Sequence, residues 1–498
     1  MYKVIQPSCG LIAGLLSSLF SYGQDSSQNM RFEVEAGSYL STSASNPFWL
    51  RSNQYGEVPL ESQGITVRLQ AKKEYKTFVQ GKKGKDKFSY GYGARAVFNA
   101  GTHNQLLLSE LYGKVRYGAF EFYAGRRKEA IGLFDSTLSA GSYSWSGNAL
   151  PMPKIQISLP NFTPILKNGL IAVKGNYAHG WFGSADSIEN YFLHQKSLYI
   201  RIGKPSWRFK FIGGFNHQVQ WGGTLRYVRY DTGVKKTRYG SDLESYWYVI
   251  TTKSLYPQGE NPQVLQVPIV DGTATAEGGN RVGNHLGTLD IGLEYEDDKN
   301  QWLFYRQSIY EDGSLFYLVN ISDGLTGVSV RTKNVTSGVL RVVLEYLQTS
   351  NQGGSISNSR TSNVYLGGYE DYFNNGRYID GWTYRGQTIG TPFIMPLRYT
   401  TNLTQNLANN PNSIVNNRVN AVSLGVMSRI KRVDLTTRLS VSHNMGNYSV
   451  PLNVNQVSVQ QQITFPVKNY TLTTIVAYDN AGVLRQNLGL SALVKRTF

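Results

Sequence analysis

Leu488-Gly489-Leu490-Ser491-Ala492-Leu493-Val494-Lys495-Arg496-Thr497-Phe498 is the stretch that decides the fold. On an extended chain Leu488, Leu490, Ala492, Val494 and Phe498 share one face, and Asn487, Gly489, Ser491, Lys495 and Thr497 share the other; only Leu493 and Arg496 break the alternation. Such a period of two places successive side chains on opposite faces of a strand. The same grammar recurs upstream. Leu289, Ile291, Leu293 and Tyr295 alternate with Asp290, Gly292, Glu294 and Glu296; Asp297-Asp298-Lys299-Asn300 turns the chain, and Trp302 and Phe304 begin the return. Leu198, Ile200 and Ile202 lead through Lys204-Pro205-Ser206 to Trp207, Phe209 and Phe211, and Val433, Leu435, Thr437, Leu439 and Val441 repeat the pattern. Residues 457–465, 470–478 and 483–498, joined by short turns, read as an antiparallel meander.

Composition narrows what those strands build. With 41% hydrophobic residues and a mean hydropathy of -0.32, the 498-residue chain contains no run able to cross a membrane as a helix, which needs ~20 consecutive apolar residues. Aromatics at 13% and charges at only 17% exclude a disordered chain. An all-β sandwich or a transmembrane barrel remains. Alternation over segments of about ten residues suits a barrel with apolar side chains toward lipid and polar ones toward the lumen. Carboxy-terminal Phe498 on an amphipathic strand is similar to the signal by which bacterial outer-membrane barrels are recognised for assembly.

The other terminus agrees. Lys3, the apolar stretch Leu11 to Phe20, and Ser21-Tyr22-Gly23 have the layout of a secretory signal peptide over residues 1–23. Cys9, the sole cysteine, lies inside it, so the mature chain is expected to lack disulfides, Cys-ligated metals and a catalytic thiol. The expectation is an all-β transmembrane antiparallel barrel of about 16 to 18 strands over residues 61–498, with residues 24–60 a small periplasmic or plug element. Residues 232–244, 257–280, 349–377 and 402–417 read as extracellular loops or inward plugs. The formal charge of +17 suits lipid phosphates or acidic polysaccharide; nucleic acid is not expected of an exported chain.

Catalysis finds little support. His103, His179, His194, His217, His285 and His443 are scattered, without the i, i+4 pairing of a helical metal site; no cofactor or metal is expected. Adjacent Glu311-Asp312 and Glu370-Asp371 point to opposite faces of a strand and are expected to pair with Arg306, Arg377 or Arg385 inside a polar lumen. Arg126-Arg127-Lys128 and Lys82-Lys83-Gly84-Lys85 read as solvated turns, the former also able to meet lipopolysaccharide phosphate or acidic glycan.

Asn46-Pro47-Phe48-Trp49-Leu50-Arg51-Ser52-Asn53-Gln54-Tyr55-Gly56 resembles the amino-terminal signature of the Wzi capsule-assembly family of outer-membrane proteins, in its Bacteroidetes-like form. Ser146 to Pro153, Ala178-His179-Gly180, Gly214 to Gly223, Gly283 to Gly287, Tyr305-Arg306-Gln307, Tyr372 to Asn375 and Gly381 to Tyr384 continue the series in order. The resemblance implies an outer-membrane barrel of about eighteen strands with a helical periplasmic element, a lectin that organises exported capsular polysaccharide at the cell surface rather than an enzyme. Its partners would be that polysaccharide, outer-membrane lipid and lipopolysaccharide, and a monomer is expected. Stacking aromatics beside amide and Arg donors suit sugars, which makes His217, Gln220, Trp221, Trp382, Tyr384 and Arg385 the candidate contacts. A passive porin is the alternative that the same strands allow.

Overall fold

The computed structural model describes residues 30–75, 88–185, 187–226, 237–253, 281–311, 314–355, 368–407 and 412–498. The segment expected to be a signal peptide, the Lys82 cluster and the 257–280 loop lie outside the described residues. Eighteen strands form one closed antiparallel sheet. Strands β1 to β5 are Met30–Ser41, Gly64–Lys73, Phe88–Ala100, Gln105–Tyr117 and Phe120–Arg126. Strands β6 to β9 are Pro153–Pro164, Ile171–Gly183, Tyr191–Ile202 and Phe209–Trp221. Strands β10 to β13 are Asn284–Glu296, Asn300–Glu311, Gly324–Thr332 and Gly338–Gln348. Strands β14 to β18 are Val419–Ile430, Val433–Gly446, Pro451–Val467, Tyr470–Asp479 and Asn487–Thr497. Each pairs with its sequence neighbours, and β1 closes the cylinder on β18 from Glu33↔Thr497 to Ser41↔Gly489. Closure leaves no unpaired edge.

Alternation decides which face is which. Leu289, Ile291 and Leu293 are exposed on the outside while Asp290 is buried within, and Leu488, Leu490 and Val494 are exposed while Asn487 and Ser491 are buried. One end of the cylinder carries short hairpins. Asp297 Oδ1 accepts from the backbone N–H groups of Lys299 (2.8 Å) and Asn300 (2.7 Å), and Lys431 and Lys468 adopt positive φ of 56° and 52° in two-residue turns. Connections 42–63, 127–152, 222–283 and 349–418 all leave the opposite end, which the usual asymmetry makes extracellular.

The expected division at residue 60 is corrected by the strand pairing: Met30–Ser41 is a barrel strand bonded to both β2 and β18, because its polar–apolar alternation fits the wall. What plugs the barrel is the following connection, 42–63, with helix α1 (Phe48–Arg51). This short helix enters from the long-connection end and is buried, so it is not the periplasmic helical element that the family resemblance implied. Trp49 Nε1 donates to Ser440 Oγ on β15 at 3.1 Å, the Phe48 N–H donates to Asp479 Oδ2 at 2.9 Å, and the Phe48 ring stacks on Phe393 at 5.2 Å.

The segment 127–152 also folds inward, and the polar face of the wall serves its backbone. Glu345 accepts from Ser139 Oγ (2.6 Å) and the Ala140 N–H (2.7 Å), Gln307 Oε1 from the Tyr143 N–H (3.0 Å), and Asp290 Oδ2 from the Leu133 N–H (2.9 Å). Buried backbone donors need such partners. The inward polar set that reads as a wet channel wall is in large part the hydrogen-bonding complement of the plug.

Candidate functional site

Plug 42–63 is held by charge as well as by packing. Buried Glu57 receives Arg95 Nε at 2.8 Å, Lys128 Nζ at 2.5 Å and Ser109 Oγ at 2.7 Å, with Arg68 Nε at 3.9 Å. Burial alone would raise its pKa, but Lys128, Arg95 and Arg68 outweigh burial and hold the carboxyl down to about 2. Burial conversely pushes Lys128 below its ordinary value, only partly offset by Glu57; the carboxylate is the member that gains. Arg127 pairs with Glu121 at 2.6 Å and Arg126 Nη2 donates to the Tyr384 hydroxyl at 3.0 Å. Arg127 and Lys128 are therefore ion-paired with lumenal carboxylates and Arg126 is hydrogen-bonded to Tyr384, so the run is not the solvated turn that was expected. Among the described residues, the void lined by Tyr55, Trp145, Lys154 and Tyr384 measures about 10 Å³, no more than a single water needs.

The six residues expected to meet sugar fall into three environments. Trp382 is fully buried in the lumen, its Nε1 donating to the Ser144 carbonyl at 2.7 Å and its ring edge-on to Trp145 and Phe182. Tyr384 is buried beside Arg126, and Gln220 donates to the Gly381 carbonyl at 3.1 Å while accepting from Asn284 at 3.0 Å. His217 and Trp221 lie on the outward face of β9 yet are 4% exposed each. Only Arg385, in the turn between Thr383–Tyr384 and Gln387–Thr388 with φ 52°, is exposed among the six. The expected stacking faces are spent on packing, because the plug and an external helix cover them.

That helix, α2 (Leu243–Thr251), packs on the outside of the barrel and is capped by Asp242, whose carboxylate accepts from the Ser245 N–H at 2.7 Å. Tyr246 stacks on Trp221 at 5.0 Å, and Val249 joins Val219, Trp221 and Val282 in a small apolar cluster. Beneath it four of the six scattered histidines converge: His217 Nε2 and His285 Nδ1 share a 2.9 Å hydrogen bond, His194 lies 6.3 Å from His217 ring to ring, and His179 packs against Trp221 and Tyr246. No group of metal-ligating side chains able to hold an ion occurs among the described residues. The signal for the helix was legible: an Asp cap before Leu243, with Tyr246, Val249 and Ile250 at helical spacing.

The carboxylates anchor loops. Glu311 accepts from the Tyr143 hydroxyl at 2.7 Å and the Phe373 N–H at 3.1 Å, and Glu370 from the Ser314 N–H and Asn320 Nδ2 at 3.1 and 3.0 Å. Arg306, expected inside, stands on the outward face, where its donors meet Thr326 and loop carbonyls.

An aromatic platform at the extracellular end escaped the sequence reading. Tyr369 is 45% exposed at φ 57° and stacks on partly exposed Tyr448, with ring centroids 5.3 Å apart at 23°. The Arg418 guanidinium lies 4.1 Å over the Tyr448 ring, and the Tyr448 hydroxyl donates to the Asn351 carbonyl at 2.8 Å. Phe316, 85% exposed, and Tyr317 stand in the neighbouring loop. The available signal was two tyrosines set among Gly and Asn in rim connections.

An 18-strand antiparallel cylinder with an apolar exterior is a β-barrel of the Gram-negative outer membrane, and that is what this chain is. No protein-family model matches the sequence, and no curated protein matches it. Among solved structures the chain is similar to Wzi of Escherichia coli, described as an outer-membrane protein involved in group 1 capsule assembly and a carbohydrate-binding β-barrel. Identity is 13%, coverage 98% of this chain and 89% of that one, and the TM-score 0.56. It is similar also to OccK5 of Pseudomonas aeruginosa (8% identity, 94% and 98% covered, TM-score 0.44) and to OprD of Pseudomonas aeruginosa (7%, 96% and 97%, 0.39). Wzi shares the fold; the sequence identity carries nothing further.

Proposed function

We propose that the protein is a non-enzymatic surface lectin that binds exported, acidic capsular polysaccharide at its extracellular face and helps organise it there. The observation that carries this reading is the exposed Tyr369–Tyr448 stack with Arg418 on its flank. Aromatic faces offer the C–H surfaces of a sugar a flat apolar partner, and a guanidinium supplies paired donors to a carboxylate or hydroxyls. Support comes too from the fold shared with Wzi, which is described as carbohydrate binding, and from a lumen occupied by the chain's own segments, which disfavours the porin alternative. Lipid and lipopolysaccharide surround the barrel, and a monomer suffices. His217, Gln220, Trp221, Trp382 and Tyr384 are assigned to packing; Arg385 is kept as a secondary contact because it is exposed.

The test is binding of capsular polysaccharide from the source bacterium to folded, detergent-solubilised barrel, wild type against Tyr448→Ala and Arg418→Gln. The reading expects affinity to fall about 5- to 30-fold in each, on the order of 1–2 kcal/mol per contact. Unchanged binding in both variants overturns the platform, and no binding by wild type overturns the function.

A further inference from the structure

Arg306 occupies an improbable place. On β11 it shares the outward face with Trp302 and Phe304, whereas Tyr305 and Gln307 point into the lumen. A cation on the lipid-facing wall of a barrel is costly unless something answers its charge. Its Nη1 donates to Thr326 Oγ1 at 2.7 Å, and Nη2 donates to the carbonyls of Ile321 (2.7 Å), Ser322 (3.1 Å) and Asp323 (3.0 Å). These acceptors fix the guanidinium; the nearby Asp323 carboxylate, itself receiving the Asn351 and Gln352 N–H groups and the Tyr372 hydroxyl, offsets its charge only in part. Because residues 321–323 end the rim loop that enters β12, the head is drawn toward the extracellular side.

Beside it the wall is hollow. A groove of about 790 Å³ crosses β9 to β14, walled by Phe211, Ile291, Phe304, Val328, Leu344 and Tyr346 and touching Arg306 and Thr326. Small Thr326 and Val328 sit between the larger Phe304 and Tyr346, which makes the depression. On the rim side the loop exposes Phe316 (85%), Leu318 (61%) and Ile321 (47%), apolar groups that extend the greasy exterior past the arginine. The groove is thus continuous with the lipid-facing belt, and a fixed cation borders it on the outer-leaflet side.

We propose that this groove seats an acyl chain of a phosphate-bearing lipid of the outer leaflet, whose phosphate rests on the Arg306 guanidinium. Apolar walls match the chain, and charge-assisted hydrogen bonds with partial neutralisation match the phosphate. This site is on the opposite face of the wall from the plug and apart from the polysaccharide platform, so it stands or falls independently of the lectin reading.

The test uses full-length folded barrel in neutral detergent and native mass spectrometry, with dipalmitoyl phosphatidylglycerol against phosphate-free dipalmitoylglycerol. Wild type should retain one phosphatidylglycerol about tenfold better than the diacylglycerol, the selectivity that one charged hydrogen-bonding contact provides. Arg306→Gln should reduce that preference to about twofold or less. Val328→Trp, which fills the hollow and leaves Arg306 alone, should lower retention of both lipids, while Leu490→Trp on the far wall should change neither. Equal retention of the two lipids by wild type, a preference that survives Arg306→Gln, or retention indifferent to Val328→Trp overturns the proposal.

Discussion

Replacing Glu57 with Gln tests how the plug is held. Its carboxylate is 3% exposed and faces Arg95, Lys128 and Arg68. With the pKa held at about 2 against an ordinary value near 4.3, the shift of roughly 2 units corresponds to about 3 kcal/mol of preferential binding of the charged form. The sign follows from the depressed pKa: the contribution is complete above the unfolded-state value and fades as pH falls from about 4.5 toward about 2. Removing one member of a buried charge cluster at neutral pH costs about 3–5 kcal/mol. Hydrogen exchange of the amides in 42–63, corrected for intrinsic pH dependence, reads plug opening directly. Wild type should exchange about 100-fold faster at pH 2 than at pH 5, while Glu57→Gln should exchange that much faster already at pH 7 and stay level across the acid window. A wild-type profile flat between pH 5 and pH 2, or a variant as protected as wild type at pH 7, would refute electrostatic anchoring of the plug.

Other outcomes follow from burial and facing. Trp382→Ala, at a fully buried lumenal site with a 2.7 Å bond to Ser144, should cost about 3–5 kcal/mol in denaturant unfolding while leaving polysaccharide affinity within twofold. Trp221→Ala should loosen α2, read as faster proteolysis near residues 243–251, again without affecting polysaccharide. Ile291→Arg on the lipid face should lose about 2–4 kcal/mol in folding into bilayers; a neutral effect there would mean that this face is not in lipid.

How far the sequence spoke depended on whether the partner of a residue was local or generic. Lipid is a generic partner, so Leu289, Ile291 and Leu293 declare the outer face by alternation alone, and hairpins such as 297–300 follow from local turn chemistry. Lumenal residues meet a partner chosen by topology. Asp290, Gln307 and Glu345 are visibly polar in sequence, yet that they bind the backbone of 133–143 depends on a segment far away in the chain. The same holds for His217 and Trp221, outward-facing residues shielded by α2, and for Trp382, whose glycine-flanked exposure was expected and whose burial is complete. Met30–Ser41 carries its own alternation, Arg31, Glu33 and Glu35 against Phe32, Val34 and Ala36, but was grouped with the Pro- and Trp-bearing segment that follows it; in the barrel Glu35 is paired with Arg68 at 2.5 Å. The Tyr369–Tyr448 platform joins residues from two connections, and nothing local in either announces the pairing.

Electrical recording on purified, folded barrel in a planar bilayer reaches the central claim most directly. A cylinder filled by residues 42–63, 127–152 and 368–407 should insert and stay silent, with no steady conductance above the bare membrane. A steady, porin-sized current from the wild-type protein would contradict it, returning the chain to the class of open channels and leaving its surface platform without the role assigned to it.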